Sequence, residues 1–156
     1  SSSIYLRSDS NSMDKLKVLI IGPEDTPYSM GCFEFDFYIP CNYPKKPPLC
    51  RLATTRNNTF KFNPNLYANG KVCLSLIGTW SGPPEEQWNP QVSTLFQVFV
   101  SIQSLILVPN PFYNEPGYQF FENSIENEQY NKEIQFGTIS IAILGQLKDK
   151  NNTFHD

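Results

Sequence analysis

Hydrophobic and polar positions alternate most cleanly from Phe33 to Ile39. Phe33, Phe35, Phe37 and Ile39 fall on one side of an extended chain, and Glu34, Asp36 and Tyr38 on the other. That period predicts a strand of an antiparallel sheet with one covered face. Upstream, Leu16 to Ile21 is a short apolar run closed by the turn formers Gly22-Pro23-Glu24-Asp25-Thr26-Pro27. Downstream, Pro40, Pro44, Pro47 and Pro48 impose an extended connection before a weaker strand over Leu49 to Thr54.

The pattern then becomes helical. Asn89 is placed to cap a helix and Pro90 to occupy its first turn. In Gln91 to Val108, Ser93, Gln97, Ser101 and Ser104 form a narrow polar stripe on an otherwise buried helix, which Pro109 and Pro111 end. A last helix is predicted with Tyr130, Ile134, Ile141, Leu144 and Leu147 on one face and Lys148 and Lys150 near its negative end. Gly137 and Gly145 weaken its continuity, and the tail from Asn151 is expected to fray. Strands first and helices later indicate an α+β domain, an antiparallel meander sheet packed by helices.

Composition narrows the function classes. A chain of 156 residues, 40% hydrophobic, can bury one substantial core, so residues 1–156 are read as a single domain. A net charge of -3 with scattered lysines and arginines gives no footprint for nucleic acid. Polar residues interrupt the apolar run from Val92 to Val108, and Ser1-Ser2-Ser3 opens no signal peptide, so no membrane partner is expected. Cys32, Cys41, Cys50 and Cys73 lack CxxC spacing and the density of a disulfide scaffold, which favours a reducing cytoplasmic or nuclear compartment. The only histidine, His155, lies in the tail. That argues against Cys-His and Ser-His-Asp hydrolysis and against a zinc cluster. Without a glycine-rich phosphate loop, no nucleotide, metal or other cofactor is expected.

The candidate chemistry lies in Phe62-Asn63-Pro64-Asn65-Leu66-Tyr67-Ala68-Asn69-Gly70-Lys71-Val72-Cys73-Leu74-Ser75-Leu76, where Cys73 follows an Asn-Pro-Asn turn and the tight-turn pair Asn69-Gly70. Taken alone, a cysteine between Val72 and Leu74 is more often a buried, inert thiol. The whole run resembles the active-site segment of ubiquitin-conjugating enzymes, the E2 family. Their usual signature is His-Pro-Asn, then a glycine, then a cysteine followed by leucine, and Asn63 stands here at the histidine's place. The resemblance extends from about Leu16 to at least Pro116 through Gly22-Pro23, Thr26-Pro27-Tyr28, Tyr43-Pro44, Pro47-Pro48, Trp88 and Pro90. Asn63, the lengthened loop to Trp88 and Tyr113-Asn114-Glu115-Pro116-Gly117-Tyr118 look like the conjugating domains of the large E2 proteins, the giant inhibitor-of-apoptosis type among them. The stretch Thr54 to Thr59 also looks like an E2 that accepts a second ubiquitin-like modifier. Family members open with an amphipathic helix for which this chain has no room, so the N-terminus is expected to be cut from a longer protein.

The resemblance implies that Cys73 accepts ubiquitin, or a ubiquitin-like modifier, as a thioester from an E1 activating enzyme and passes it to a substrate lysine or an E3 ligase. Cysteine suits both steps, since its thiolate attacks well and leaves well. Asn65 falls on the family's functional asparagine, to which oxyanion stabilisation or loop support is attributed. Asn63 replaces a largely structural histidine and can still bond the turn backbone. Ser75, beside the cysteine, and Asn114 or Glu115, after the long helix, are candidates for assisting deprotonation of the lysine, with Tyr113 and Tyr118 as gate residues; each reads equally as loop polarity or packing. At the ligase-docking loops, Lys45-Lys46 stands where many members place an aromatic, and Gln91 follows Pro90. Ordinary ligase recognition is therefore in doubt. An inactive E2-like module that binds ubiquitin non-covalently, or a scaffold domain with a vestigial thiol, remains the competing class.

Overall fold

The computed structural model describes residues 3–118, 124–149 and 154. Four strands, β1 (Ile4–Asp9), β2 (Ser12–Ile21), β3 (Cys32–Tyr38) and β4 (Leu49–Leu52), pair in sequence order as an antiparallel meander. The sheet is the expected one with an added strand. Among the described residues no helix precedes β1. β1 and β2 meet at a turn in which the Asp9 carboxylate accepts from the Asn11 N–H at 2.8 Å. Phe33, Phe35 and Phe37 turn inward with Val18, Ile20 and Leu52 to form the core, all at most 2% exposed. On the opposite face the Lys17 ammonium bonds Glu34 and also Asp36, its direct cross-strand neighbour, at 2.9 Å.

Two helical segments pack on the core side. The first begins later than expected: α1 (Leu95–Ser101) is capped by Thr94, whose hydroxyl accepts from the Gln97 N–H at 3.2 Å while the Gln97 side chain accepts from the Thr94 N–H at 2.8 Å. Asn89 instead caps a separate turn, accepting from the Gln91 N–H at 3.0 Å. After Ser101 the helix widens into a π turn, Ile102–Ile106, and stops at Leu107, before either proline. Its surface also corrects the expectation of a buried helix with one polar stripe. Val98, Phe99, Ile102 and Ile106 are buried, whereas Phe96 and Leu105 are more than half exposed.

The second segment runs as α2 (Ile125–Gly137), a π stretch (Thr138–Ile143) and α3 (Leu144–Lys148). Ile134 and Ile141 are buried as expected, but Leu144 and Leu147 are not. The wider π turn rotates everything after it relative to an α-helical count, carrying both leucines off the inner face. Gly137 has a packing reason: a Cβ there would lie 2.3 Å from the Phe60 ring. The last helix's Lys150 lies outside the described residues.

Candidate active site

The Asn-Pro-Asn segment is built into the core by the first of its amides. Asn63 is fully buried. Its Nδ2 donates to the Ile106 carbonyl at 2.8 Å and to the Tyr28 hydroxyl at 3.0 Å. Its Oδ1 accepts from the Asn65 N–H at 2.8 Å and from Asn114 Nδ2 at 3.3 Å. The Tyr28 hydroxyl in turn donates to the Phe62 carbonyl at 2.8 Å. Every donor and acceptor of that side chain is thus satisfied, as a buried amide requires. One side chain ties together the loop before β3, the candidate segment, the π turn and the 3-10 turn Pro111–Asn114.

Asn65 then fixes the cysteine. The Cys73 N–H donates to the Asn65 carbonyl at 2.9 Å, and Asn65 Nδ2 donates to the Cys73 carbonyl at 3.0 Å. Between them, Gly70 at φ +88 closes the predicted Asn69-Gly70 turn, with the Asn69 side chain accepting from the Lys71 N–H at 3.0 Å. After the cysteine, Thr79 accepts from the Leu74 N–H at 2.9 Å and donates to the Val72 carbonyl at 2.7 Å, so the backbone is held on both sides of the thiol.

Cys73 lies in the floor of a cleft of about 290 Å³, whose walls include Asn65, Ser75, Trp80, Gly82, Glu86 and Asn114. The residue is only 1% exposed. Burial pushes the thiol above its ordinary value, and the Lys71 and Lys61 cations pull it partly back. Both ammonium groups sit over the face of Tyr67, at 5.5 and 4.9 Å from the ring centre. Cys32 and Cys50 are also raised by burial, Cys50 strongly, and all four cysteines are free thiols.

The candidate residues therefore divide. Cys73, Asn65, Asn63, Ser75 and Asn114 come together in or directly beneath the cleft. Tyr113 and Tyr118 instead join Phe112 and Tyr130 in an aromatic cluster, with ring centres 4.8 to 5.9 Å from that of Phe112. Glu115 lies near Tyr130, whose hydroxyl is pushed up by burial and by the charges of Glu133 and Glu115. Lys45, Pro90 and Gln91 are exposed on two loops that Trp88 joins, its indole N–H donating to the Pro44 carbonyl at 2.7 Å. Glu86 is not among the candidates that the sequence pattern singles out. It sits in a polar loop, eleven residues beyond Ser75, yet accepts a hydrogen bond from the Ser75 hydroxyl at 3.1 Å. The run Pro83-Pro84-Glu85-Glu86, prolines followed by acids at a short helical start, was its one signal.

Among the described residues no group of histidine, cysteine and carboxylate side chains has metal-site geometry. The arrangement is a clamped backbone presenting a shielded thiol, amide donors beside it and one carboxylate opposite.

Comparison with known proteins shows the family. The family model for ubiquitin-conjugating enzymes matches residues 1–138. The human dual E2 ubiquitin-conjugating enzyme/E3 ubiquitin-protein ligase BIRC6 is 49% identical over 160 aligned positions, which cover 100% of this chain and 3% of that protein. The probable ubiquitin-conjugating enzyme protein 17 of Caenorhabditis elegans is 48% identical, again over 100% of this chain and 22% of its own length. Human ubiquitin-conjugating enzyme E2 Z is 44% identical over 94% of this chain and 40% of its own length. The chain spans under half the length of each of these relatives. With its meander sheet, its packed helices and a family match over nearly all of its residues, the chain belongs to the ubiquitin-conjugating enzymes.

Proposed function

We propose that Cys73 accepts ubiquitin, or a closely related modifier, as a thioester from an activating enzyme and yields it to a lysine or to a ligase. The observation that carries this reading is the reciprocal clasp of Asn65 and Cys73, which fixes the thiol at the cleft floor with an amide donor beside it. In charging, the Cys73 thiolate attacks the activated carboxyl carbon, forming a C–S bond as the activating enzyme's own thiolate departs. In discharge, a lysine nitrogen attacks the same carbon. Negative charge then develops on the carbonyl oxygen, where the second Nδ2 hydrogen of Asn65, the first being held by the Cys73 carbonyl, is worth about 3 kcal/mol.

Asn63 acts only through position. It holds Asn65 by the backbone and pins the π turn behind the cleft. The docking loops carry Lys45, Lys46 and Gln91 at exposed positions, a polar surface ill suited to an apolar ligase groove. Substrate choice is therefore assigned to other parts of a longer protein.

The test is a charging reaction with ubiquitin, ATP and an activating enzyme, run on a non-reducing gel beside Cys73→Ala. A reductant-sensitive adduct that disappears in the variant is the expected result. A folded wild-type chain that forms no adduct with ubiquitin or related modifiers would refute the carrier role and favour non-covalent binding. Strong stimulation of discharge by a conventional ligase would overturn the assignment of the docking loops.

A further inference from the structure

The lengthened loop after Cys73 folds back on the cleft, and its geometry is specific. The 3-10 turn Ser75–Ile77 ends at Gly78 in the left-handed region, φ 70, which reverses the chain. A second such turn, Pro84–Glu86, follows, and Gln87 Nε2 donates to the Gly82 carbonyl at 3.1 Å, closing the loop on itself. Glu86 is thereby brought to Ser75, and Gly82 packs into the angle between them. A Cβ on Gly82 would stand 2.7 Å from both Glu86 Oε2 and Ser75 Oγ. A side chain at position 82 would have to displace the Glu86 carboxylate or the Ser75 hydroxyl.

Among the described residues that line the cleft, Glu86 is the only ionisable group besides Cys73. Glu85, on the same turn, does not line it, and Glu115 lies near Tyr130. Lys61 and Lys71 act on the Cys73 thiol. The nucleophile's cleft thus has one base for an incoming ammonium.

We infer that Glu86 takes the proton from the attacking lysine, with Ser75 as its positioning residue. The inference rests on the thioester chemistry proposed above. A lysine ammonium has no lone pair to offer. Transfer of one N–H proton to Glu86 frees the pair, which forms the N–C bond while the carbonyl electrons move to oxygen. Collapse of the adduct breaks the C–S bond, and the sulfur leaves as thiolate. The nitrogen loses its second proton, so that one of the two protons ends on the Cys73 sulfur and the other in water. The products are an amide, a thiol and one released proton, and Glu86 returns to its starting charge. Discharge to an amine that arrives protonated needs this base, whereas an amine that is already neutral does not.

The experiment uses the whole chain, charged on Cys73, quenched, and then offered either free lysine or hydroxylamine, whose nitrogen is unprotonated at neutral pH. Glu86→Gln should charge at the wild-type rate but discharge to lysine about tenfold more slowly at neutral pH, recovering as the pH rises. Hydroxylamine discharge should be unchanged. Glu86→Asp should regain part of the lysine rate. Ser75→Ala, which removes only the tether, should cost about threefold with the same recovery. Glu85→Gln should behave as wild type. Wild-type lysine discharge by Glu86→Gln overturns the inference, and so does an equal loss toward both amines at every pH, which marks a structural role. If the wild-type chain forms no thioester, both the inference and the carrier function fall, and the charging step reports that separately.

Discussion

Replacing Asn63 with aspartate changes one NH2 into an oxygen and tests whether the amide is the strut described above. The variant keeps an acceptor for the Asn65 N–H, 2.8 Å away, but loses the donor that serves the Ile106 carbonyl at 2.8 Å and the Tyr28 hydroxyl at 3.0 Å. The Tyr28 proton is committed to the Phe62 carbonyl, so it cannot answer the new carboxylate without leaving another group unpaired. A carboxylate fully buried against a carbonyl oxygen should cost about 3–5 kcal/mol at neutral pH. Below the ordinary aspartate range the new group is protonated and can again donate to Ile106, leaving about 1 kcal/mol of deficit.

The sign follows from linkage. Burial raises the folded-state pKa of the new carboxyl above its unfolded value, so the folded state binds the extra proton more tightly. The variant is therefore closest to wild type below the unfolded pKa and loses ground as pH rises through the folded one. Urea unfolding of both proteins at about pH 4 and pH 7 measures this difference directly. A deficit that is the same at both pH values, or below about 1 kcal/mol at neutral pH, would show that Asn63 does not hold the turn in this way.

Three further outcomes are expected. Alkylation of Cys73 should be slow at neutral pH and climb with a midpoint above the ordinary thiol value; Lys71→Met should slow it roughly twofold at low salt, about 0.5 kcal/mol, and an acceleration would contradict the assigned role of that cation. Gly137→Ala gains about 1 kcal/mol of helix propensity but drives a methyl to 2.3 Å from the Phe60 ring, so thermal unfolding should move down by a net of about 1–2 kcal/mol; a stabilised variant would mean that the ring yields. Thr94→Ala removes half of a reciprocal cap and should cost about 1 kcal/mol in chemical denaturation, whereas Asn89→Ala should leave the helix start intact by amide exchange.

Much of the fold was legible where sequence pattern and burial coincide. The Phe33 to Phe37 alternation gave β3 because each of those rings is driven into the core. β1 carries no such alternation: Tyr5 and Leu6 on neighbouring positions remain 45% and 49% exposed. Asn89-Pro90 carries a cap's chemistry without a helix behind it, while Thr94 and Gln97 form the reciprocal cap that starts α1 five residues after Asn89. An α-helical count puts Leu144 and Leu147 inside, but the stretch before them is wider. At the site, the turn and the thiol were read from neighbours in sequence. Glu86 could not be, because what matters is the loop's return path, which depends on Gly78, Gly82 and a side chain reaching across it.

The frame around Cys73 consists of Asn63, Asn65, Asn114, Thr79 and backbone, none of which gains or loses a proton near neutrality. A histidine strut would change charge across about pH 5–8. Here acidification of the surroundings leaves the scaffold's charge constant, so the turnover of this centre should report acidity only through the chemical groups that react, and its shape should survive conditions that would unsettle an imidazole-based relative.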